Sequence, residues 1–175
     1  MTRTVEITLY KLGELDEAVQ RRVIERWREN DSFHWADEWQ ESLKAFEQVA
    51  PIKVRDWSVG YPGTYVTFDI DEDVANLSGM TAYRWLVQEG WEQITRNQDC
   101  PFTGYCGDEN LLDAIRAGLA NPASISSLRD LFREALHDWA KAFERDVDYW
   151  HSDEANREDI EMNDYEFHAD GTLAR

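Results

Sequence analysis

Two neighbouring segments that alternate apolar and polar residues, 52–59 and 64–70, constrain the fold of this chain most. Alternation at period two is typical of a strand with one apolar face. Only the range 60–63 separates the two segments, and it holds two glycines and a proline, which favour a tight turn. The pattern therefore predicts an antiparallel β-hairpin.

Most of the remaining chain shows helical periodicity. Apolar residues recur at helical spacing in five segments, which are 15–27, 35–49, 80–94, 109–119 and 128–150. After Trp150 the last helix either continues or restarts behind Ser152 and runs to Met162. The range 5–10 alternates like a strand, and residues on both sides of Asp170 and Gly171 predict a last strand with a short return.

The order of these elements, β-α-α-β-β-α-α-α-β, predicts an α+β fold. We expect a small antiparallel sheet of three or four strands, covered by about five helices. A length of 175 residues without a recognisable linker predicts a single domain over residues 1–175.

The second constraint is charge. The chain carries 36 acidic and 18 basic residues, for a formal net charge of −18. The excess is spread over the whole length and is densest in residues 151–175, where eight acids face two bases. Such a field repels nucleic acids and anionic membranes and attracts basic surfaces. We therefore expect a basic protein surface as partner, and neither direct nucleic-acid nor membrane binding.

The sequence also bears on the compartment. Two cysteines are too few for a disulfide scaffold, and neither a signal peptide nor a long apolar window is evident. The cytoplasm is therefore the expected location.

Two rows of acidic residues are the candidate partner-binding site. Neighbours three or four apart lie on one face of a helix, about 5–6 Å apart. The first row is Asp130, Glu134 and Asp138, and the second is Glu154, Glu158 and Glu161, with Asp153 and Asp159 beside it. Tyr149 and Trp150 are the aromatic residues expected to anchor a contact there. The alternative is an acidic surface that only keeps the protein monomeric and in solution.

Metal or catalytic sites have weaker support. The run that starts at Asp69 resembles a calcium loop but lacks its glycine and its twelfth-position glutamate. Cys100 and Cys106 lie too far apart for a zinc knuckle, and His34 and His151 are not at metal-pair spacing with another histidine. The alternative is weak metal binding by His34 with Asp37, Glu38 and Glu41, which lie on nearby helix faces. No nucleotide-binding or hydrolase motif is present. We expect no cofactor, no bound metal, and binding rather than catalysis.

Three stretches carry a resemblance to a group of small phage and prophage proteins. These are Leu12–Trp27, which looks like the opening of those proteins, Cys100–Cys106 with Asp108 and Glu109, and Asn163–Gly171. The resemblance implies an origin in a mobile element and brings no catalytic residues. Small acidic phage proteins include anti-CRISPR and antirestriction inhibitors, several of which mimic DNA.

Charge and resemblance together lead to one expectation of function. We expect an inhibitor that occupies a nucleic-acid-binding defence complex of an infected or lysogenic bacterial host through a DNA-like acidic surface. The alternatives are a phage structural or regulatory protein that binds through an apolar patch, and a metal-dependent enzyme without a recognisable motif.

Overall fold

The computed structural model of the chain describes residues 6–30, 33–96 and 100–174. They form two compact units, each described by itself. The terminal unit comprises 1–33 and 147–175, and the central unit comprises 34–146. This division into compact units does not test the expectation of a single domain over residues 1–175, which stays a prediction.

The described residues confirm the α+β class. The α-helices, in chain order, are α1 Glu17–Asn30, α2 Ala36–Val49, α3 Glu72–Ala75, α4 Gly79–Gln88, α5 Trp91–Arg96, α6 Gly107–Ala120, α7 Leu128–Trp150 and α8 Asp153–Met162. The strands are β1 Ile52–Ser58 and β2 Tyr65–Ile70. None of the helices in the described ranges is long and apolar enough to cross a bilayer.

The predicted hairpin is present in the central unit. Strands β1 and β2 pair antiparallel, with Ile52 opposite Ile70 and Trp57 opposite Val66. The register shifts between Val54 and Asp56, which inserts one extra residue into β1, as in a β-bulge. Ile52 and Ile70 are buried, so the apolar alternation correctly marks the face that packs inward.

The predicted sheet of three or four strands is wrong for the described residues, because this hairpin is a two-stranded sheet. The segment expected as a first strand contributes only Tyr10, which forms an isolated bridge with Phe167; its first residue, Val5, lies outside the described ranges. Phe167 forms a second isolated bridge with Leu173. The segment 6–9 has no regular secondary structure, so the strand predicted there does not form.

The predicted return near the C-terminus exists as a turn. The His168 amide donates to the Thr172 carbonyl at 2.9 Å. Gly171 has φ +86°, and a Cβ atom there would lie 2.9 Å from methyl groups of both Val19 and Val23. Glycine is therefore required both by the backbone conformation and by its close approach to α1.

The terminal unit has a small core. Residues before and within α1 pack with α8 and the last bridge, and the buried members are Leu12, Leu15, Val23, Ile24, Ile160 and Phe167. Ser152 begins α8 as its N-cap, accepting a hydrogen bond from the Ala155 amide at 3.1 Å. Of the two alternatives left open by the sequence, the helix therefore restarts after Ser152.

The central unit has an aromatic core. Trp39 stacks on Phe143 with centroids 5.2 Å apart, while Phe46 meets Trp91 edge-on at 5.7 Å.

The helix predicted over 80–94 divides into α4 and α5 at Gly90, which has φ +83°. Asp31 and Ser32 precede α2 and are residue types that favour an N-cap, but both lie outside the described residues.

Candidate functional site

The predicted partner-binding residues divide between the two units. Asp130, Glu134 and Asp138 lie on α7 in the central unit and are called the α7 row. Glu154, Glu158 and Glu161 lie on α8 in the terminal unit and are called the α8 row. Each row is considered separately, because each belongs to its own unit.

Asp130 is a helix-start residue. The Ser127 hydroxyl donates to Oδ2 of Asp130 at 2.7 Å and accepts from the Asp130 amide at 3.0 Å, as in a reciprocal N-terminal cap. Asp130 also forms an ion pair with Arg133. The hydrogen bond from Ser127 and then the guanidinium of Arg133 lower the pKa of the Asp130 carboxyl. The negative charge of Asp130 is therefore already engaged by Ser127 and Arg133.

The other two residues of the α7 row, Glu134 and Asp138, lie on a helix that carries charges of both signs. Glu134 is exposed, and none of the described residues forms a hydrogen bond or ion pair with its carboxylate. Oδ1 of Asp138 lies 3.8 Å from Nδ1 of His137. Four bases share the helix, at Arg129, Arg133, Lys141 and Arg145. The α7 row is therefore a poor imitation of a phosphate chain.

The α8 row carries a denser negative charge. Helix α8 holds five acidic residues and one basic residue among ten. The seven-residue step from Glu154 to Glu161 spans roughly 10 Å at 1.5 Å per residue. The three carboxylates of the row therefore average about one charge per 5 Å of axis, against about one per 3.4 Å along one DNA strand.

Tyr149 joins the α8 row through a hydrogen bond. Its hydroxyl donates to Oε2 of Glu158 at 3.0 Å. This hydrogen bond, together with the charges of Glu158 and Glu154, raises the pKa of Tyr149. Its side chain is 49% exposed, and Glu154 is exposed and has no hydrogen-bond or ion-pair partner among the described residues. The structure thus brings one accessible aromatic ring to two carboxylates.

Two other acids hold α8 against α1. Asp153 forms an ion pair with Arg28, and Oδ2 of Asp159 accepts a hydrogen bond from the indole nitrogen of Trp27 at 2.9 Å. These pairings leave Glu154 and Glu158 as the more available charges. Sequence periodicity alone did not separate available carboxylates from those engaged in packing.

Trp150 is placed less favourably than predicted for an anchor. It is half-buried, and its ring packs edge-on against Phe33 with centroids 6.3 Å apart. Because a binding anchor needs an accessible ring, Tyr149 is the better of the two predicted aromatic residues.

Asp108 stabilises the loop that contains the two cysteines by accepting hydrogen bonds from it. Its side chain is fully buried, and Oδ2 accepts hydrogen bonds from the amides of Phe102 and Thr103 at 2.9 and 2.7 Å. The Thr103 hydroxyl lies 3.0 Å from Oδ1. Sequence periodicity missed the role of Asp108 in holding the loop, because that role depends on burial.

The cysteines and histidines do not gather into a site. No disulfide joins Cys100 and Cys106, and desolvation raises the pKa of the Cys106 thiol, which disfavours the reactive thiolate. Nδ1 of the exposed His151 lies 2.9 Å from the Val147 carbonyl oxygen. Within the described ranges, no three His, Cys, Asp or Glu side chains are arranged to hold a metal ion.

No protein-family model, no curated protein and no solved structure matches this chain. The resemblance to phage and prophage proteins therefore stays a prediction.

Proposed function

We propose that this chain is a binding protein whose α8 row occupies a basic protein surface that otherwise receives nucleic acid. The observation that carries the proposal is the charge of α8, five acids against one base, with an accessible tyrosine bonded to the middle carboxylate of the row. Carboxylates near a basic surface are attracted over about a Debye length, so association should weaken steeply with salt.

The α8 row supports this role better than the α7 row for a physical reason. Asp130 is already bound to Ser127 and Arg133, and an internally paired charge offers less to a partner. Glu154 remains exposed, while Glu158 accepts only a neutral hydroxyl among the described contacts. A partner's cation can bind these carboxylates without first displacing an internal one.

The narrower form of the proposal is inhibition of a host defence complex of the anti-CRISPR or antirestriction type, in the cytoplasm of an infected or lysogenic bacterium. It is supported by the resemblance to phage and prophage proteins and by the acidic charge, since such complexes bind nucleic acid through basic surfaces.

A second candidate function is a structural or regulatory protein that binds through an apolar patch. The hairpin of the central unit favours it, because Tyr61 at its tip is fully exposed and Tyr65 is 46% exposed. Binding through these rings would depend little on salt.

A pull-down with two matched triple variants tests the proposal. One variant changes Glu154, Glu158 and Glu161 to Gln. The control changes Glu17, Glu25 and Glu29 to Gln, which are exposed residues of α1. Both variants reduce the net charge of −18 by three. Tagged proteins are incubated at low salt with nuclease-treated bacterial lysate, eluted stepwise with salt, and read by mass spectrometry.

We expect the wild type and the α1 control to retain a nucleic-acid-binding partner that added duplex DNA displaces, and the α8 variant to lose it. Equal retention by both variants would contradict the α8 proposal. A partner that resists high salt and added DNA would favour the apolar alternative.

A further inference from the structure

The hairpin of the central unit has an open edge along β2. Strand β1 pairs with one side of β2, and none of the other described residues pairs with β2 as a strand. Outside β1, no described residue forms a backbone hydrogen bond with the range Tyr65–Ile70. An unpaired strand edge is a row of donors and acceptors that can pair with a further strand. The outer side of β2 is therefore a candidate interaction surface.

Two hydrogen bonds show which backbone groups of β2 point outward. The Asp71 amide, just after the strand, donates to the Pro51 carbonyl at 3.0 Å, so the backbone groups of this pair face each other. Val54 lies opposite Phe68, and its amide donates to a carboxylate of α2 instead of to β2. Because inward and outward positions alternate along an antiparallel strand, the amides and carbonyls of Val66 and Phe68 point outward.

The two edges of the hairpin are protected differently. On β1, the β-bulge between Val54 and Asp56 interrupts the edge, and Oε1 of Glu47 accepts the Val54 amide at 2.6 Å. Bulges, charges and covering groups are the usual protection of an edge strand. Strand β2 contains no proline and one charged residue, Asp69, which forms an ion pair with Arg55. The edge of β2 is therefore the one that remains open for pairing.

The accessible part of this edge is centred on Thr67. Over the range 65–69, exposed residues alternate with two half-buried residues, Val66 and Phe68. Ile70 is only 6% exposed and ends the accessible stretch. A strand that pairs with β2 therefore has room on both sides of Thr67 but not beyond Ile70.

The hairpin is electrically neutral, although the net charge of the chain is −18. Residues 52–70 hold two bases, Lys53 and Arg55, and two acids, Asp56 and Asp69. Copies of a strongly acidic protein repel one another, and this repulsion is smallest where the facing segments carry no net charge. The β2 edge is therefore a surface on which two copies of the chain can approach each other.

We propose that the β2 edge pairs with the β2 edge of a second copy of this chain. The two strands would run antiparallel about a twofold axis, with Thr67 opposite Thr67 of the second copy. Val66 of each copy would lie opposite Phe68 of the other, and the outward backbone groups of these residues would bond. This register keeps apolar side chains on one face and places no like charges opposite each other. Such a contact of one surface with itself closes a dimer and goes beyond the proposed function.

Charges placed at Thr67 test the pairing at its centre of symmetry. In Thr67→Lys alone, or Thr67→Glu alone, two like charges would lie directly opposite each other, so association should weaken roughly three- to tenfold. An equal mixture of the two variants places lysine opposite glutamate and should restore association. Gln88→Lys and Gln88→Glu, at an exposed position of α4, are the matched controls and should associate like the wild type.

Sedimentation equilibrium of the full chain over a range of protein concentrations measures this association. Because copies with a net charge of −18 repel, we expect wild-type association to strengthen as salt rises, opposite to the salt dependence proposed for the α8 row. Hydrogen exchange gives a second measurement that needs no variant. The Val66 and Phe68 amides should become protected as protein concentration rises, while the Thr67 and Asp69 amides, which face β1, should keep constant protection.

Several results would overturn the pairing. One is a wild type that stays monomeric at every concentration, with constant exchange at Val66 and Phe68. Another is a mixture of the two Thr67 variants that associates no better than either variant alone. Protection of the two amides only after the pull-down partner is added would assign the edge to a foreign strand instead of a second copy. The α8 triple variant should associate at least as strongly as the wild type, so the pairing and the proposed function can fail independently.

Discussion

The indole nitrogen of Trp27 lies 2.9 Å from Oδ2 of Asp159 and donates a hydrogen bond to it, which ties α1 to the helix that carries the α8 row. Oδ1 of the same carboxylate accepts from the Asn163 side chain at 2.9 Å. One carboxylate thus satisfies a partly buried indole and a polar group at the end of α8. The availability of the α8 row depends on this packing, because α8 must be held in place to present its outer face.

Replacing Asp159 by alanine should destabilise the protein. The indole N–H of Trp27 would lose its acceptor in a partly buried position, at a cost of about 1–3 kcal/mol. Urea unfolding followed by tryptophan fluorescence measures the change. Glu25→Ala, at an exposed position of α1, is the control and should stay within about 0.5 kcal/mol of the wild type. Equal stability of the two variants would contradict the proposed role of this bond.

The buried carboxylate of Asp108 should matter more to stability. Asp108→Ala leaves two backbone amides and the Thr103 hydroxyl without their acceptor, and we expect a loss of about 3 kcal/mol or more in the free energy of unfolding. Asp113→Ala is the control on the same helix, since Asp113 is exposed and forms an ion pair with Arg116 at the surface. Equal losses for the two variants in urea unfolding would show that burial of Asp108 is not the cause.

Tyr149 should report on the α8 row through its ionisation. Its pKa is raised, first by the hydrogen bond to Glu158 and then by negative charge. Glu158→Gln should therefore lower the pKa, as measured by phenolate absorbance with Tyr149→Phe as the blank. Because the folded-state pKa exceeds the ordinary value of 10.0, the stabilisation is complete below that pH and is lost as pH rises through the folded-state pKa. An unchanged titration in the variant would exclude the hydrogen bond in solution.

The contribution of Asp130 to stability should depend on pH in the opposite direction. Its pKa is lowered from the ordinary value of 3.8, mainly by the hydrogen bond from Ser127. Its stabilising contribution is therefore present above that pH and is lost as pH falls through the lowered pKa. Asp130→Asn should destabilise the protein at pH 7, and the effect should shrink as pH falls below the ordinary value of 3.8. Glu134→Gln, at an exposed position of the same helix, is the control, and a common stability profile for both variants would contradict the cap.

Local patterns predicted several elements well. The alternation of apolar and polar residues predicted the ends of both strands to within about one residue. This succeeds because the strand register, and the choice of which side chains face inward, depend on neighbouring segments. The helical stripe of α7 followed from spacing, whereas the sequence left open whether the helix continues past Trp150, and the structure decided for a restart after Ser152. The first strand was overestimated, because a pairing between Tyr10 and Phe167 joins distant parts of the chain and extends over a single bridge. The break at Gly90 depends on a left-handed backbone, which a lone glycine permits without requiring it.

The sequence by itself determined the acidic charge, the α+β class, the hairpin and the spacing of both acidic rows, since these depend on composition and on neighbours within a few residues. Only the tertiary structure decided which carboxylates are engaged. Arg28 and Asp153 are 125 residues apart in the chain yet form a pair, whereas Glu154, the next residue, remains exposed. Periodicity assigns a side chain to a face of a helix, but the partner it meets there depends on how distant segments pack.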